Sequence, residues 1–257
     1  MKFNKTNPNE LQELKQDYLK HIRIPLDDMW ENLIIPSGIH YSIEDKGFFV
    51  LDQENTLFQF HLKEAYLFEA QEIFEAILAQ FEIKEALVAT YETNYLSLVL
   101  SQAKTEQTHT LLYKGVPSPV IEAPLKDISI STAKLNDFDK VIEFCTEKVG
   151  ISGPWMTPYY ENLLPQGAIK LFHIDSELVG IGELRPSFSS PEYANVGFMV
   201  SKDWRKKGLG TYIMNQLKNN KEGFKCICST TVDNIGAQKG IHNSGFFPYH
   251  RILQFNF

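Results

Sequence analysis

Apolar residues in the second half of the chain alternate, run together, or recur every three or four positions, and these spacings predict strands and helices. The predicted strands are 128–131, 168–174, 178–184, 193–200, 224–232 and 249–257, and the predicted helices are 136–148, 159–164, 209–217 and 238–243. Gly245 follows the last helix at its C-terminal cap position. The order β-α-α-β-β-β-α-β-α-β predicts an α/β fold in which helices cover a mixed sheet.

The first half has a weaker version of the same pattern. Strands are predicted at 39–44, 47–52, 56–62, 86–91 and 109–114, and helices at 11–22, 67–81 and 95–101. From the first strand onward the order β-β-β-α-β-α-β resembles that of the second half, which predicts a duplicated architecture.

A proline-rich segment separates the two halves. Residues 114–124 contain Pro117, Pro119 and Pro124 and have little periodicity. Such a stretch is typical of an extended linker, and the alternative is a long loop inside one domain. We predict a first domain at 1–115, a linker at 116–126 and a second domain at 127–257.

The composition narrows the classes of partner and location. The formal net charge is −7, whereas a general nucleic-acid binder needs a broad basic surface. There is no signal-peptide pattern and no apolar run long enough for a membrane span. The three cysteines form no disulfide framework, which indicates a reducing compartment. We therefore expect a cytoplasmic protein without nucleic-acid or membrane partners, and the oligomeric state stays open.

The strongest chemical signal is the run Arg-Lys-Lys-Gly-Leu-Gly at 205–210, between the strand at 193–200 and the helix at 209–217. The amides at a helix N-terminus lack helical acceptors, and the helix dipole attracts negative charge. Glycines let the backbone approach a phosphate closely. The run predicts an anion site, and the alternative is a surface turn with solvated lysines.

Arg205, Gly208 and Gly210 match the Arg/Gln-x-x-Gly-x-Gly/Ala signature in the strand-turn-helix frame of the GNAT superfamily of acyl-CoA N-acetyltransferases. Asn234 and the later Gly245-Phe246 pair resemble the family's next element. The resemblance covers about residues 127–257. By looser analogy the first half is a degenerate GNAT-like domain that has lost the anion site. The resemblance implies two splayed mixed sheets in tandem, each flanked by helices.

The resemblance also implies acetyl-CoA as co-substrate and assigns residues to its parts. The backbone of Phe198, Met199 and Val200 would pair with the pantetheine arm, and Asn234 would bond the same arm. Arg205 and Lys207 would add positive charge. The pyrophosphate would be bound by the consecutive amides of Lys206, Lys207, Gly208, Leu209, Gly210 and Thr211.

The sequence indicates the catalytic acid and base less clearly than the cofactor-binding residues. The family's glutamate near the beginning of the strand at 193–200 is missing, so Glu183 on the preceding strand is the candidate base, and Asn195 would orient a water or an amine. Ile241 stands where many members have a proton-donating tyrosine. The neighbouring His242 is a weaker candidate acid, because a helix turns by about 100° per residue.

The remaining singled-out residues indicate structural roles. Cys226 and Cys228 are expected to be small structural residues of a strand. No further cysteine or histidine stands at the spacing of metal ligands, so no metal site is expected. Trp155, Tyr159 and Tyr160 line the acceptor site or belong to the core.

The resulting expectation is an N-acetyltransferase that moves an acetyl group from acetyl-CoA to an amine of an unidentified acceptor. The missing carboxylate and tyrosine leave two alternatives open: a non-catalytic acyl-CoA-binding or sensor protein, and an interaction scaffold with two degenerate halves.

Overall fold

The structure is a computed structural model that describes residues 1–22, 25–187, 189–219 and 223–257. It divides into two compact units: Met1–Leu112 together with His250–Phe257, and Tyr113–Tyr249. The predicted domain at 127–257 differs from these units at its end. Residues 250–257 belong to the first unit because Ile252–Asn256 pairs with the strand Glu85–Ala89.

The first unit contains most of the elements predicted from its periodicity. Its helices are α1 (Gln12–His21), α2 (Ile35–Ser37), α3 (Ala70–Gln80) and α4 (Thr93–Gln102), with 3-10 turns at Pro8–Leu11 and Glu64–Glu69 and a wider π-type turn at Trp30–Ile34. Its strands are β1 (Asn4–Lys5), β2 (Ile39–Ile43), β3 (Gly47–Leu51), β4 (Thr56–Leu62), β5 (Glu85–Ala89) and most of β6 (Thr105–Gly115).

The sheet of the first unit is covered on both faces. Its strands follow the order β1-β2-β3-β4-β5, continued by Ile252–Asn256 and then β6, and β4 and β5 run parallel. Successive residues of β3 point to opposite faces: Phe49 packs with α3, whereas Phe48 packs with α1. Burial on both faces explains why all five residues of β3 are apolar or glycine and buried.

The second unit carries the longer and more regular elements. Its helices are α5 (Phe138–Glu143), α6 (Met156–Leu163), α7 (Leu209–Lys218) and α8 (Ile235–Asn243), with 3-10 turns at Leu135–Asp137 and Lys202–Trp204 and a π-type turn at Phe144–Val149. Its strands are β7 (Ile128–Thr132), β8 (Ile169–Ile174), β9 (Glu177–Pro186), β10 (Tyr193–Val200), β11 (Lys225–Thr231) and the first residues of β12 (Phe246–Asn256).

The sheet of the second unit is splayed at one pair of strands. Its order is β11-β10-β9-β8-β7, and only β10 and β11 are parallel. Their register ends at Asn195↔Ile227, whereas β10 continues alongside β9 as far as Val200. The mixed sheets, the flanking helices and this splay confirm the predicted fold class.

The proline-rich segment packs on α7 within the second unit. Asn215, a fully buried residue of α7, accepts a hydrogen bond from the Ile121 amide at 2.9 Å and donates to the Pro119 carbonyl at 3.2 Å. Lys218 donates to the Val116 carbonyl at 3.1 Å. The start of the predicted linker is therefore tied to the helix that follows the anion-site turn.

The described helices can be compared with the length and hydropathy that a membrane-spanning helix needs. Within the described ranges, every helix is too short or too polar to cross a lipid bilayer.

Candidate active site

A groove opens in the second unit where β10 separates from β11. Beyond Asn195 the described registers pair β10 with β9 alone, and Phe198, Met199 and Val200 line the groove. Unpaired strand edges offer hydrogen bonds to an extended ligand. The groove has a volume of about 880 Å3, and its lining includes Phe198, Met199, Val200, Arg205, Lys206, Gly208, Leu209, Gly210, Thr211 and Asn234. It thus brings together every predicted cofactor residue except Lys207.

The floor of the groove at its loop end is the N-terminus of α7. The first helical hydrogen bond runs from the Tyr212 amide to the Gly208 carbonyl at 3.0 Å, so the amides of Leu209, Gly210 and Thr211 precede it. Among the described residues no side chain caps this end of the helix. Uncapped amides at the positive end of a helix dipole are an arrangement that suits an anion.

Backbone conformation at this turn accounts for Gly208. Its φ of 80° lies in the left-handed region, as does the φ of 62° at Lys206. Glycine adopts that region without steric cost. Gly210 has a different reason: a Cβ there would lie 2.5 Å from Cε2 of Phe198. The space at Gly210 is thus filled by a ring of β10, whereas the sequence had suggested room for a phosphate.

The three cations of the turn have different surroundings. Arg205 Nε donates to the Val200 carbonyl at 3.3 Å, and its Nη2 donates to the Val149 carbonyl at 3.1 Å. Lys207 places its ammonium 4.5 Å from the ring centroid of Trp204. Arg205 therefore ties the loop to β10 while also lining the groove, and Lys207 takes part in a cation–π contact.

Asn234 has a structural task beside its predicted one. Its Oδ1 accepts a hydrogen bond from the Ala237 amide at 3.1 Å and so caps α8. This leaves the Nδ2 amide as the part of the side chain that can donate to a ligand carbonyl in the groove. Lys239, which also lines the groove from α8, was missed because it belongs to no motif.

The predicted base, Glu183, lies beside the beginning of the groove. It faces Gly197 of β10 in the register, and a Cβ at Gly197 would be 3.4 Å from Glu183 Oε2. The side chain is 7% exposed. Tyr159 donates to Oε2 at 2.7 Å, and Tyr160 donates to Oε1 at 3.3 Å. Glu183 is thus a buried, hydrogen-bonded side chain opposite Gly197, one residue before Phe198, and it is not itself among the residues that line the groove.

Arg185 compensates part of the Glu183 charge. Its Nε lies 3.7 Å from Glu183 Oε2, and its guanidinium lies 5.8 Å from the ring centroid of Tyr159. Asn195 is opposite Arg185 in the register and fully buried. Because alternate residues of a strand share a face, Asn195, Gly197 and Glu183 lie on the same side of the sheet. The two predicted catalytic residues are therefore brought together.

A chain of buried polar groups supports this carboxylate. The Cys145 thiol donates to the Tyr160 hydroxyl at 3.4 Å. Burial, and then the Glu183 charge, raise the pKa of Tyr160 far above its usual value, so its hydroxyl stays a donor. Burial raises the pKa of Cys145 to about 11, so this residue remains a thiol. Cys145 belongs to the hydrophobic core of the second unit.

The predicted aromatic patch divides between two environments. Tyr160 is buried at 1% exposure, whereas Trp155 is 42% exposed. Tyr159 lies between them, in edge contact with both rings. The hydrogen bonds from Tyr159 and Tyr160 to Glu183 were not predicted, because no sequence pattern specifies the register of β9 or the position of α6.

Neither the position of the family tyrosine nor the candidate acid His242 lines the groove. Ile241, at the position of the family tyrosine, is buried at 2% exposure. His242 is exposed at the end of α8, and it is not among the residues that line the groove.

Comparisons with known proteins match both units. A family profile described as "Acetyltransferase (GNAT) domain" matches residues 7–116, and one described as "Acetyltransferase (GNAT) family" matches residues 139–246. No protein with a curated description matches the sequence.

Several solved structures resemble the whole chain. An acetyltransferase from the GNAT family from Colwellia psychrerythraea is 28% identical, with a TM-score of 0.90 over 100% of both chains. A GCN5-related N-acetyltransferase from Sphaerobacter thermophilus is 12% identical, with a TM-score of 0.62 over 99% of this chain and 95% of its own. A tandem GNAT protein from the clavulanic acid biosynthesis pathway is 14% identical, with a TM-score of 0.59 over 99% of this chain and 97% of its own. The last two show the shared fold alone.

Proposed function

Because the chain belongs to the GNAT acetyltransferase superfamily and carries two such domains in tandem, we propose that its second unit transfers an acetyl group from acetyl-CoA to an amine. The observation that carries this proposal is the groove between β10 and β11, with uncapped amides at one end and Glu183 beside its beginning. A long ligand with an anionic end and a reactive carbonyl end suits both features.

Different groove residues bind different parts of acetyl-CoA. The amides of Leu209, Gly210 and Thr211 bind the pyrophosphate, and Arg205 and Lys206 supply positive charge from the groove wall. The exposed edge of β10 at 198–200 pairs with the pantetheine amides, and Asn234 Nδ2 donates to a pantetheine carbonyl. These assignments extend the predicted cofactor residues, and Lys239 joins them as a further cation.

The acceptor amine is placed at the Glu183 carboxylate. Amines are mostly protonated at neutral pH, so a base is needed to produce the nucleophile. Glu183 takes a proton from the amine nitrogen, which attacks the thioester carbonyl carbon as the carbon–sulfur bond breaks. Tyr159 and Tyr160 hold the carboxylate in place, and Asn195 orients the amine or a water. The second proton of the attacking nitrogen passes through a water to the departing thiolate, which leaves a neutral amide and a free thiol.

Binding is tested by isothermal titration with acetyl-CoA. The wild-type chain is expected to bind one acetyl-CoA, and Lys206→Glu and Lys239→Glu are each expected to weaken binding at least tenfold. Lys170→Glu is the matched control, because this lysine lies on β8 beside Thr132 and outside the groove lining. No binding by the intact protein would refute the proposal.

Catalysis is tested by thiol release with a panel of amines. Glu183→Gln is expected to lower kcat/KM by about 10²- to 10⁴-fold, the range of general base catalysis. Glu161→Gln, an exposed glutamate on α6, is the matched control and is expected to keep full activity. Equal activity of the Glu183→Gln and wild-type chains would remove Glu183 from the mechanism.

One observation favours a second function, acyl-CoA binding without transfer. The buried Ile241 leaves α8 without the proton donor found in many family members. Tight acetyl-CoA binding together with no thiol release from any amine would establish this alternative. For either function we propose the cytoplasm as the location, because Cys145, Cys226 and Cys228 are buried and unbridged.

A further inference from the structure

Three residues with metal-binding side chains meet in the first unit. They are Asp17 and His21 of α1 and His61 of β4, and one ligand atom from each lies within 4.8 Å of the others. Asp17 and His21 are four residues apart, so they share a face of the helix. His61 is 44 residues from Asp17, so no local spacing in the sequence indicates the cluster, and no metal was expected.

The contacts within the cluster resemble those of a metal site. His61 Nε2 lies 2.9 Å from Asp17 Oδ2. Ligand atoms at about 2.0 Å from a tetrahedral Zn²⁺ lie about 3.3 Å from one another. The Asp17–His61 pair is therefore already near this separation. To complete a tetrahedral site the His21 side chain has to move. It can rotate, because it is exposed at the last residue of α1.

His21 also has the second contact that metal-bound histidines usually make. Its Nδ1 lies 2.7 Å from the Asp17 carbonyl oxygen. Because a carbonyl oxygen only accepts, Nδ1 carries the proton and Nε2 holds a lone pair. A backbone carbonyl on the opposite ring nitrogen fixes the tautomer of a ligating histidine.

The cluster borders a cavity in the first unit. This cavity has a volume of about 320 Å3 and is lined by His21 and His61 together with Tyr18 and Glu92. It lies at the ends of β4 and β5, whose register stops at Leu57↔Ala86. The first unit is thus splayed at the strand pair that corresponds to β10 and β11, but its opening contains imidazoles and carboxyls in place of a glycine turn.

We propose that the first unit binds a Zn²⁺ ion through Asp17, His21 and His61, with its fourth coordination position toward the cavity. Two imidazoles and one carboxylate are a ligand set of catalytic and ligand-binding zinc sites, which keep one position for water or an anion. In the metal-free chain the proton between His61 and Asp17 occupies the place of the ion. Binding of Zn²⁺ at Nε2 moves this proton to Nδ1 of the same imidazole.

The test uses the full chain without a histidine tag, after metal removal with a chelator. Equilibrium dialysis against Zn²⁺ at micromolar concentration, with the bound metal counted by mass spectrometry, is expected to give one ion per chain. Asp17→Asn and His21→Ala are each expected to weaken binding at least tenfold. Both leave the buried His61 in place, and circular dichroism checks that they stay folded. His242→Ala, an exposed histidine of α8, is the matched control and keeps the ion.

Cobalt gives an independent measurement. Co²⁺ in this site is expected to show the visible absorption of a four-coordinate ion. Absence of a bound ion in the wild-type chain, or full retention of the ion in both Asp17→Asn and His21→Ala, would overturn the proposal. In that case the Asp17–His61 contact is a structural hydrogen bond. None of these results depends on acetyl transfer.

Discussion

The side chain of Asn215 is expected to hold the proline-rich segment on α7, and Asn215→Ala tests this directly. The side chain is fully buried. Its Oδ1 accepts from the Ile121 amide at 2.9 Å, and its Nδ2 donates to the carbonyls of Pro119 at 3.2 Å and Ser244 at 3.3 Å. The alanine variant removes these three bonds to backbone groups, together with the bond that Asn219 Nδ2 donates to Oδ1 at 3.2 Å, and leaves the three backbone groups without this partner.

The expected loss follows from these three bonds. At a net value of about 1 kcal/mol each, the free energy of unfolding falls by about 3 kcal/mol. A smaller loss of stability is not expected. Ser244 is fully buried, so water does not take the place of Asn215 as the donor to the Ser244 carbonyl. A change of this size lowers the Tm of a unit of this length by roughly 10 °C.

Two measurements check the Asn215 prediction. Thermal unfolding gives the Tm, and amide hydrogen exchange at Ile121 reports whether the segment has detached from α7. Asn219→Ala is the control, since that exposed side chain bonds back to Asn215 within the same helix and its loss is expected to cost under about 1 kcal/mol. An Asn215→Ala chain that melts within about 2 °C of wild type, with Ile121 still protected, would refute the reasoning.

Three further changes test other parts of the structure. Gly210→Ala places a Cβ 2.5 Å from the Phe198 ring, so calorimetry is expected to show at least tenfold weaker acetyl-CoA binding and thermal melting a loss of about 1–3 kcal/mol. Tyr159→Phe removes the 2.7 Å bond to Glu183; a bond to a charged group contributes about 1.5–3 kcal/mol, so kcat/KM is expected to fall at least about tenfold, whereas Tyr249→Phe leaves it unchanged. Burial raises the pKa of Glu92 from 4.5 to about 7, so the folded chain holds a proton that the unfolded chain releases. The protonated Glu92 therefore stabilises the folded chain below pH 4.5, and this stabilisation of about 3 kcal/mol is lost as the pH rises through 7. Denaturant titrations of Glu92→Gln between pH 5 and 8 are expected to lack that loss.

The best-predicted elements are strands buried on both faces. β4 and β10 have the predicted bounds of 56–62 and 193–200, because mainly apolar runs between turn residues leave little freedom in where such strands begin. Helix bounds were less accurate. α3 begins at Ala70 instead of residue 67, since a 3-10 turn at Glu64–Glu69 precedes it.

Two departures have local causes that periodicity does not report. The predicted helix at 136–148 divides at Phe144, where the turns widen to the π type. The helical turns at Trp30–Ser37 were missed, because Pro36 interrupts them and a three-residue helix has no amphipathic repeat.

The sequence by itself determined the duplicated α/β order and the strand-turn-helix unit around Arg205–Gly210. These features depend on short-range periodicity and on glycine at a turn, and both can be read locally. The tertiary structure alone decided which distant side chains meet. Glu183 with Tyr159, Asn215 with Ile121, and Asp17 with His61 are separated by 24, 94 and 44 residues. Such contacts depend on strand register and helix packing, which no local pattern specifies.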